Sequence, residues 1–139
     1  MNDSITISID AMGGDNSPDK IINGISIYSK EIKNTNFKIF GDKSLIEPLV
    51  NKYNINKNQI EIFHTINFVK GDDSALSAAK KGKDTSMWLS IESLKNNEAD
   101  AIVSAGNTGA LFVIAKLNLN MIENIDKPAL SGLLTILPY

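Results

Sequence analysis

Apolar and polar positions alternate at the start of the chain. Ile5, Ile7 and Ile9 interleave with Thr6, Ser8 and Asp10, the pattern of a half-buried strand. The run MGGDNS then breaks the alternation with a glycine-rich turn. Beyond it, Ile21, Ile22, Ile25, Tyr28 and Ile32 recur at helical spacing and predict a helix over 18–32. Ser17 is its expected N-cap, with Pro18 in the first helical position and Asp19 in the first turn. A second strand is expected over 37–40, closing at Gly41. Leu45, Ile46, Leu49, Val50 and Tyr53 then predict a helix within 43–53, shortened or kinked by Pro48. Residues 60–63 form a third expected strand, whereas 65–84 lose all periodicity and read as a loop with one helical turn around 74–80. Met87, Trp88, Ile91 and Leu94 mark the apolar stripe of another helix, with Asp84 as its expected N-cap. A fourth strand follows at 101–103, and SAGNTG leads into a helix starting near Thr108. Residues 128–137 resemble the approach to one more strand.

Strands alternating with helices predict an α/β fold with a parallel sheet and right-handed crossovers. The 139 residues suffice for one domain, and no internal repeat or linker divides them. Ligands of such sheets bind beyond the carboxyl ends of the strands. That rule selects three stretches: 10–15, 65–84 and 104–108.

In SAGNTG, Gly106 and Gly109 let backbone approach a ligand, while Ser104, Asn107 and Thr108 supply neutral donors. With the unpaired N–H groups of the following helix they would cradle a phosphate or carboxylate. A glycine-containing strand-to-helix turn capped by Asn or Thr has the same sequence. Neither the GK[ST] closure of a P-loop nor a G-x-G-x-x-G fingerprint is present. In DAMGGD, Asp10 is placed to orient a polar group or a cation, Gly13 and Gly14 permit a tight turn, and Asp15 is a further acceptor. Two glycines in a turn need no ligand to explain them. In KKGKDTSM, Lys80, Lys81 and Lys83 precede a helix start where Ser86 can hydrogen-bond an anion. A solvated lysine surface accounts for that run equally well. His64 ends the third strand near the ligand edge, but no Ser–His–Asp pattern surrounds it and its expected role is structural.

Charge and composition narrow the classes. Sixteen acidic against fourteen basic residues give a net charge of -2, against general nucleic-acid binding. Without cysteine, thiolate catalysis and cysteine-ligated metals are excluded, and with one histidine no histidine-based metal site is expected. Every basic residue is lysine, so no forked arginine contact to phosphate is available. The N-terminal residues lack a basic leader followed by a long apolar stretch, and the longest apolar run, 110–115, is far short of the ~20 residues that span a bilayer. A cytoplasmic setting is expected.

Four segments in this order, IDAMGGD at 9–15, KKGKDTSMWLSIESLK at 80–95, EADAIVSAGNTGAL at 98–111 and IDKPAL at 125–130, resemble the PlsX-type phosphate acyltransferases of phospholipid synthesis. The resemblance implies a three-layer, Rossmann-like parallel α/β fold akin to isocitrate dehydrogenase and phosphotransacetylase. It implies an enzyme that makes acyl phosphate from acyl-acyl carrier protein and inorganic phosphate, with no cofactor beyond the carrier's phosphopantetheine arm. A homodimer, peripheral contact with the inner face of the membrane and delivery to a glycerol-3-phosphate acyltransferase are implied with it. Family members run well over twice this length, so residues 1–139 are expected to be the N-terminal part of a single, truncated acyltransferase domain. Under this resemblance Asn107, Ser104, Lys83 and Asp10 are the catalytic candidates. Gly13, Gly14, Asp15, Lys81, Ser86, Gly106 and Thr108 are the candidates for substrate or phosphate contact. A coenzyme A-dependent transacylase and an inactive phosphate-binding fragment are the alternatives.

Overall fold

The structure is a computed structural model and describes residues 4–131. Its strands are β1 (Ile5–Asp10), β2 (Thr35–Gly41), β3 (Ile60–His64) and β4 (Ala101–Ser104). They form one parallel sheet in the order β3-β2-β1-β4. Helices α1 (Asp19–Glu31) and α2 (Lys43–Lys52) connect β1 to β2 and β2 towards β3, with a single 3₁₀ turn at Lys57–Gln59 before β3. Helices α3 (Ala75–Lys80) and α4 (Ser86–Lys95) lie between β3 and β4, and α5 (Thr108–Asn118) follows β4.

Strand alternation divides the core in two. Ile7 and Ile9 of β1 join Phe37 and Ile39 of β2 on one face, where Ile22 and Ile25 of α1 and Ile46 and Val50 of α2 cover them. Ser8 and Asp10 point to the other face, and the Ser8 hydroxyl donates to the Ser90 carbonyl of α4 at 2.8 Å. There Met87, Trp88 and Ile91 of α4 pack with Ala110 and Ile114 of α5, Ala78 of α3 and Val69. Helices therefore cover both faces of the parallel sheet expected from the sequence, giving the three-layer, Rossmann-like α/β arrangement that the resemblance implies.

Several local expectations need correction. Ser17 does not cap α1: Pro18 holds the cap position with no side-chain hydrogen bond, and the Ser17 hydroxyl donates instead to the Gly13 carbonyl at 2.5 Å. The cap of α4 is Thr85 rather than Asp84. Thr85 accepts from the Trp88 N–H, while the Asp84 carboxylate takes the Asn67 amide at 2.6 Å. Pro48 sits inside α2, which still runs its ten residues from an Asp42 cap. Of the strand expected over 128–137, residues 128–131 are irregular and 132–137 lie outside the described residues.

Candidate anion site at the sheet switch point

Chain order fixes where a site can form. The chain builds β1, β2 and β3 in one direction, then returns to lay β4 on the opposite side of β1. The crossovers leave β1 and β4 on opposite faces, so their following turns diverge and open a crevice at the carboxyl edge. The sheet register sets Asp10 directly beside Ser104, the last residues of the two strands.

Asp10 is 1% exposed and organises that edge. One carboxylate oxygen accepts the Ser86 hydroxyl at 2.6 Å and the other accepts the Ser104 hydroxyl at 2.8 Å. The Met12 N–H approaches the first oxygen at 3.3 Å. Ser86 is the first residue of α4, so its side chain brings the start of that helix against the carboxylate. Ser104 in turn accepts the Gly106 N–H at 3.2 Å, which folds the turn after β4 back onto its own strand end. One buried carboxylate thus ties together β1, α4 and the turn into α5.

The two glycine turns meet across this knot. A Cβ at Gly13 would lie 2.6 Å from an Asp10 carboxylate oxygen and 2.9 Å from the Gly106 Cα. Gly14 has φ +87°, and a Cβ there would collide with the Ala105 carbonyl oxygen. Any side chain at either position would push the turns apart.

A shallow hollow of about 480 Å³ lies over the joined turns, lined among others by Gly14, Asp15, Gly106, Asn107 and Thr108. The sequence-derived candidates from 10–15 and 104–108 therefore come together, some as lining and some as the support beneath it. Asn107 caps α5: its side-chain oxygen accepts the Ala110 N–H at 2.9 Å. Its amide nitrogen donates to the carbonyls of Gly71 and Asp73 at 3.0 and 2.7 Å, pinning the 70–73 strap beside the hollow. The first backbone N–H groups of α5, at Thr108 and Gly109, have no acceptor within the helix and open at this mouth.

The lysine run sits differently from the expectation. Lys81 pairs with Asp73 at 2.5 Å. That hydrogen bond, with the Lys70 N–H, holds the Asp73 carboxyl below its ordinary value. Neither Lys81 nor Lys83 lines the hollow, and Ser86 is buried beneath it on Asp10. His64 does not line the hollow: its Nδ1 accepts the Lys43 N–H at 3.1 Å, at the start of α2. The sequence reading missed Lys20 and Gly71, which also line the hollow. Lys20 lies in the first turn of α1, the helix that leaves the carboxyl end of β1, and that position was the available signal. Among the described residues no group of three His, Asp or Glu side chains is arranged to hold a metal ion, and no helix is long and apolar enough to cross a membrane.

Paired glycine turns, a helix N-terminus and a polar hollow at the switch point define a doubly wound α/β protein with a site suited to a small anion. Residues 5–138 match the family described as fatty acid synthesis protein, and the chain belongs to it. It is 57% identical over 133 residues to the phosphate acyltransferase of Pelagibacter ubique, covering 96% of this chain and 39% of that protein. The phosphate acyltransferases of Rhodospirillum rubrum and Paramagnetospirillum magneticum are 42% and 39% identical, over 99% and 96% of this chain. The chain thus spans under two fifths of the length of these relatives.

Proposed function

We propose that the protein carrying this sequence transfers an acyl group from the thioester of an acyl carrier protein to inorganic phosphate, in lipid synthesis. A phosphate oxygen attacks the thioester carbonyl, the tetrahedral oxyanion collapses, and the carrier thiolate leaves with acyl phosphate as product. Phosphate is itself an oxygen nucleophile, so the reaction needs positioning and oxyanion stabilisation rather than an activated side chain. The observation that carries this reading is the hollow at the β1/β4 switch point, built by two glycine turns that both lie within the stretch matching the family. In it the α5 N-terminus and Thr108 hold the phosphate, with Gly14 and Gly106 giving it room. Asp10, Ser104 and Ser86 act from beneath by fixing the turn, and Asn107 by fixing the strap.

The exposed lysines around α3 are placed to meet an acidic carrier, with Lys83 nearest the start of α4. The product's mixed anhydride suits a second acyltransferase that esterifies glycerol 3-phosphate. Dimer formation and peripheral membrane contact belong to the same reading and rest on the remainder of the longer protein. Hydroxylamine trapping of acyl phosphate, with acyl carrier protein and acyl-coenzyme A compared as donors, tests it. Hydroxamate formed from the carrier thioester and dependent on phosphate is the expected result, and a preference for coenzyme A would move the protein to the other transacylase class. The coverage of 39% favours one second reading, in which this chain alone binds phosphate without turnover. Phosphate-dependent stabilisation with no hydroxamate would establish it.

A further inference from the structure

The geometry points to Lys20 as the cationic side chain that meets phosphate in the hollow, an assignment that rests on the function proposed above and names a residue of its site. The hollow's walls are mostly backbone: Gly14, Gly71, Gly106 and Gly109 contribute no side chain at all. Among its lining residues one carboxylate, Asp15, and one ammonium, Lys20, carry charge. A phosphate seated on neutral N–H donors would face Asp15 unopposed, and Lys20 is the charge that offsets it.

Neighbouring charges leave Lys20 available. Asp19, the adjacent carboxylate, turns away to Lys52 at 2.8 Å and to the Tyr53 hydroxyl at 3.0 Å. Lys20 makes no ion pair among the described residues. The alternative cations fail on placement: Lys81 is held by Asp73, and Lys80 and Lys83 are outside the lining. The backbone fixes where Lys20 starts. Its N–H donates to the Asn16 carbonyl at 3.0 Å, and Asn16 sits at φ +61°, so the chain turns sharply enough to set the first turn of α1 beside the hollow.

The test measures acyl phosphate formation against phosphate concentration at fixed acyl donor, in the complete protein carrying this sequence. Lys20→Gln, Lys20→Arg and, as a control on the far end of the same helix, Lys30→Gln are compared with the wild type. Lys20→Gln should raise the phosphate KM about five- to tenfold, the size expected for one surface charge a few ångströms from a phosphate. Its kcat and donor KM should stay within about twofold, and added salt should narrow the gap. Lys20→Arg keeps the charge and should restore most of the affinity. Calorimetric titration with inorganic phosphate should show the same ratio. An unmoved phosphate KM, an equal effect from Lys30→Gln, or a change confined to the donor KM would each overturn the assignment. If the wild type saturates with phosphate while Lys20→Gln matches it, Lys20 alone is refuted. If the wild type neither binds phosphate nor forms acyl phosphate, the functional reading falls first and this assignment with it.

Discussion

Replacing Asp10 by Asn asks whether one buried carboxylate organises the site's support. In the native arrangement two hydroxyl donors, from Ser86 and Ser104, share its two oxygens at 2.6 and 2.8 Å. An amide offers one accepting oxygen and one donating nitrogen, so one serine hydroxyl loses its acceptor. A hydrogen bond to a charged acceptor contributes about 1.5–3 kcal/mol, and an orphaned buried polar group costs about 1–3 kcal/mol. Asp10→Asn should therefore destabilise by about 2–3 kcal/mol, and Asp10→Ala, which abandons both hydroxyls, by about 3–5 kcal/mol. The two positions should also be coupled. Ser104→Ala should cost about 1–2 kcal/mol alone and nearly nothing once Asp10 is Asn, if the amide abandons that serine. Urea unfolding followed by tryptophan fluorescence measures this, because the chain's single tryptophan, Trp88, is buried two residues from Ser86. An Asp10→Asn variant within about 0.5 kcal/mol of wild type would refute the reasoning. So would strict additivity with both serine variants.

Gly14→Ala combines a φ of +87° with a collision against the Ala105 carbonyl, and should cost about 2–4 kcal/mol by thermal or urea unfolding. Asn107 can be dissected by two substitutions. Asn107→Ala loses the cap as well as the strap, about 1 kcal/mol for the cap alone. Asn107→Asp keeps the cap acceptor but cannot donate to Gly71 and Asp73, so hydrogen exchange should rise at 70–74 while α5 stays protected. The strap should also respond to acid. The Asp73 carboxyl is lowered from 3.8 chiefly by Lys81. A lowered folded value means the contribution is present above 3.8 and is lost as pH falls through the folded value. Strap protection should therefore hold at neutral pH and decline only below that range, and a loss near pH 6 would count against the pair.

The strands and the site placement were legible to different degrees, for physical reasons, whereas the strand order was not read at all. Ile7 and Ile9 announce β1 because their face packs against α1 and α2, although Ile5 at the strand's start stays exposed and the Ser8 and Asp10 face is buried as well, under α4. The positions of the two glycine turns were also visible, since their residue types admit backbone conformations that others resist. Partnership was not visible. Nothing in the spacing of Asp10 and Ser86, separated by 76 positions, says that a hydroxyl of α4 ends on that carboxylate. Ser17 and Asp84 have the residue types of N-caps, yet tertiary partners, the Gly13 carbonyl and the Asn67 amide, took their side chains first. Lys81 failed as a free cation for the same reason: Asp73 lies eight positions earlier, across a short helix, where charge patterning does not reach.

The hollow follows from the order in which strands are laid down rather than from the glycines alone. Had β4 added beyond β3, its crossover would have run on the same face as α1 and α2, and its turn would have packed beside theirs. Returning across β1 puts α1 and α5 on opposite faces, and the Asp10↔Ser104 register brings two diverging turns side by side. The glycines then decide how close those turns come, with Gly13 against Gly106 and Gly14 against Ala105. Asp10 decides how firmly they stay there, through Ser104 and the Gly106 N–H. A residue outside the hollow can therefore shape what the hollow binds. Rigid support beneath neutral N–H donors keeps them aimed without reorganisation, which is what the proposed transfer to phosphate asks of the hollow.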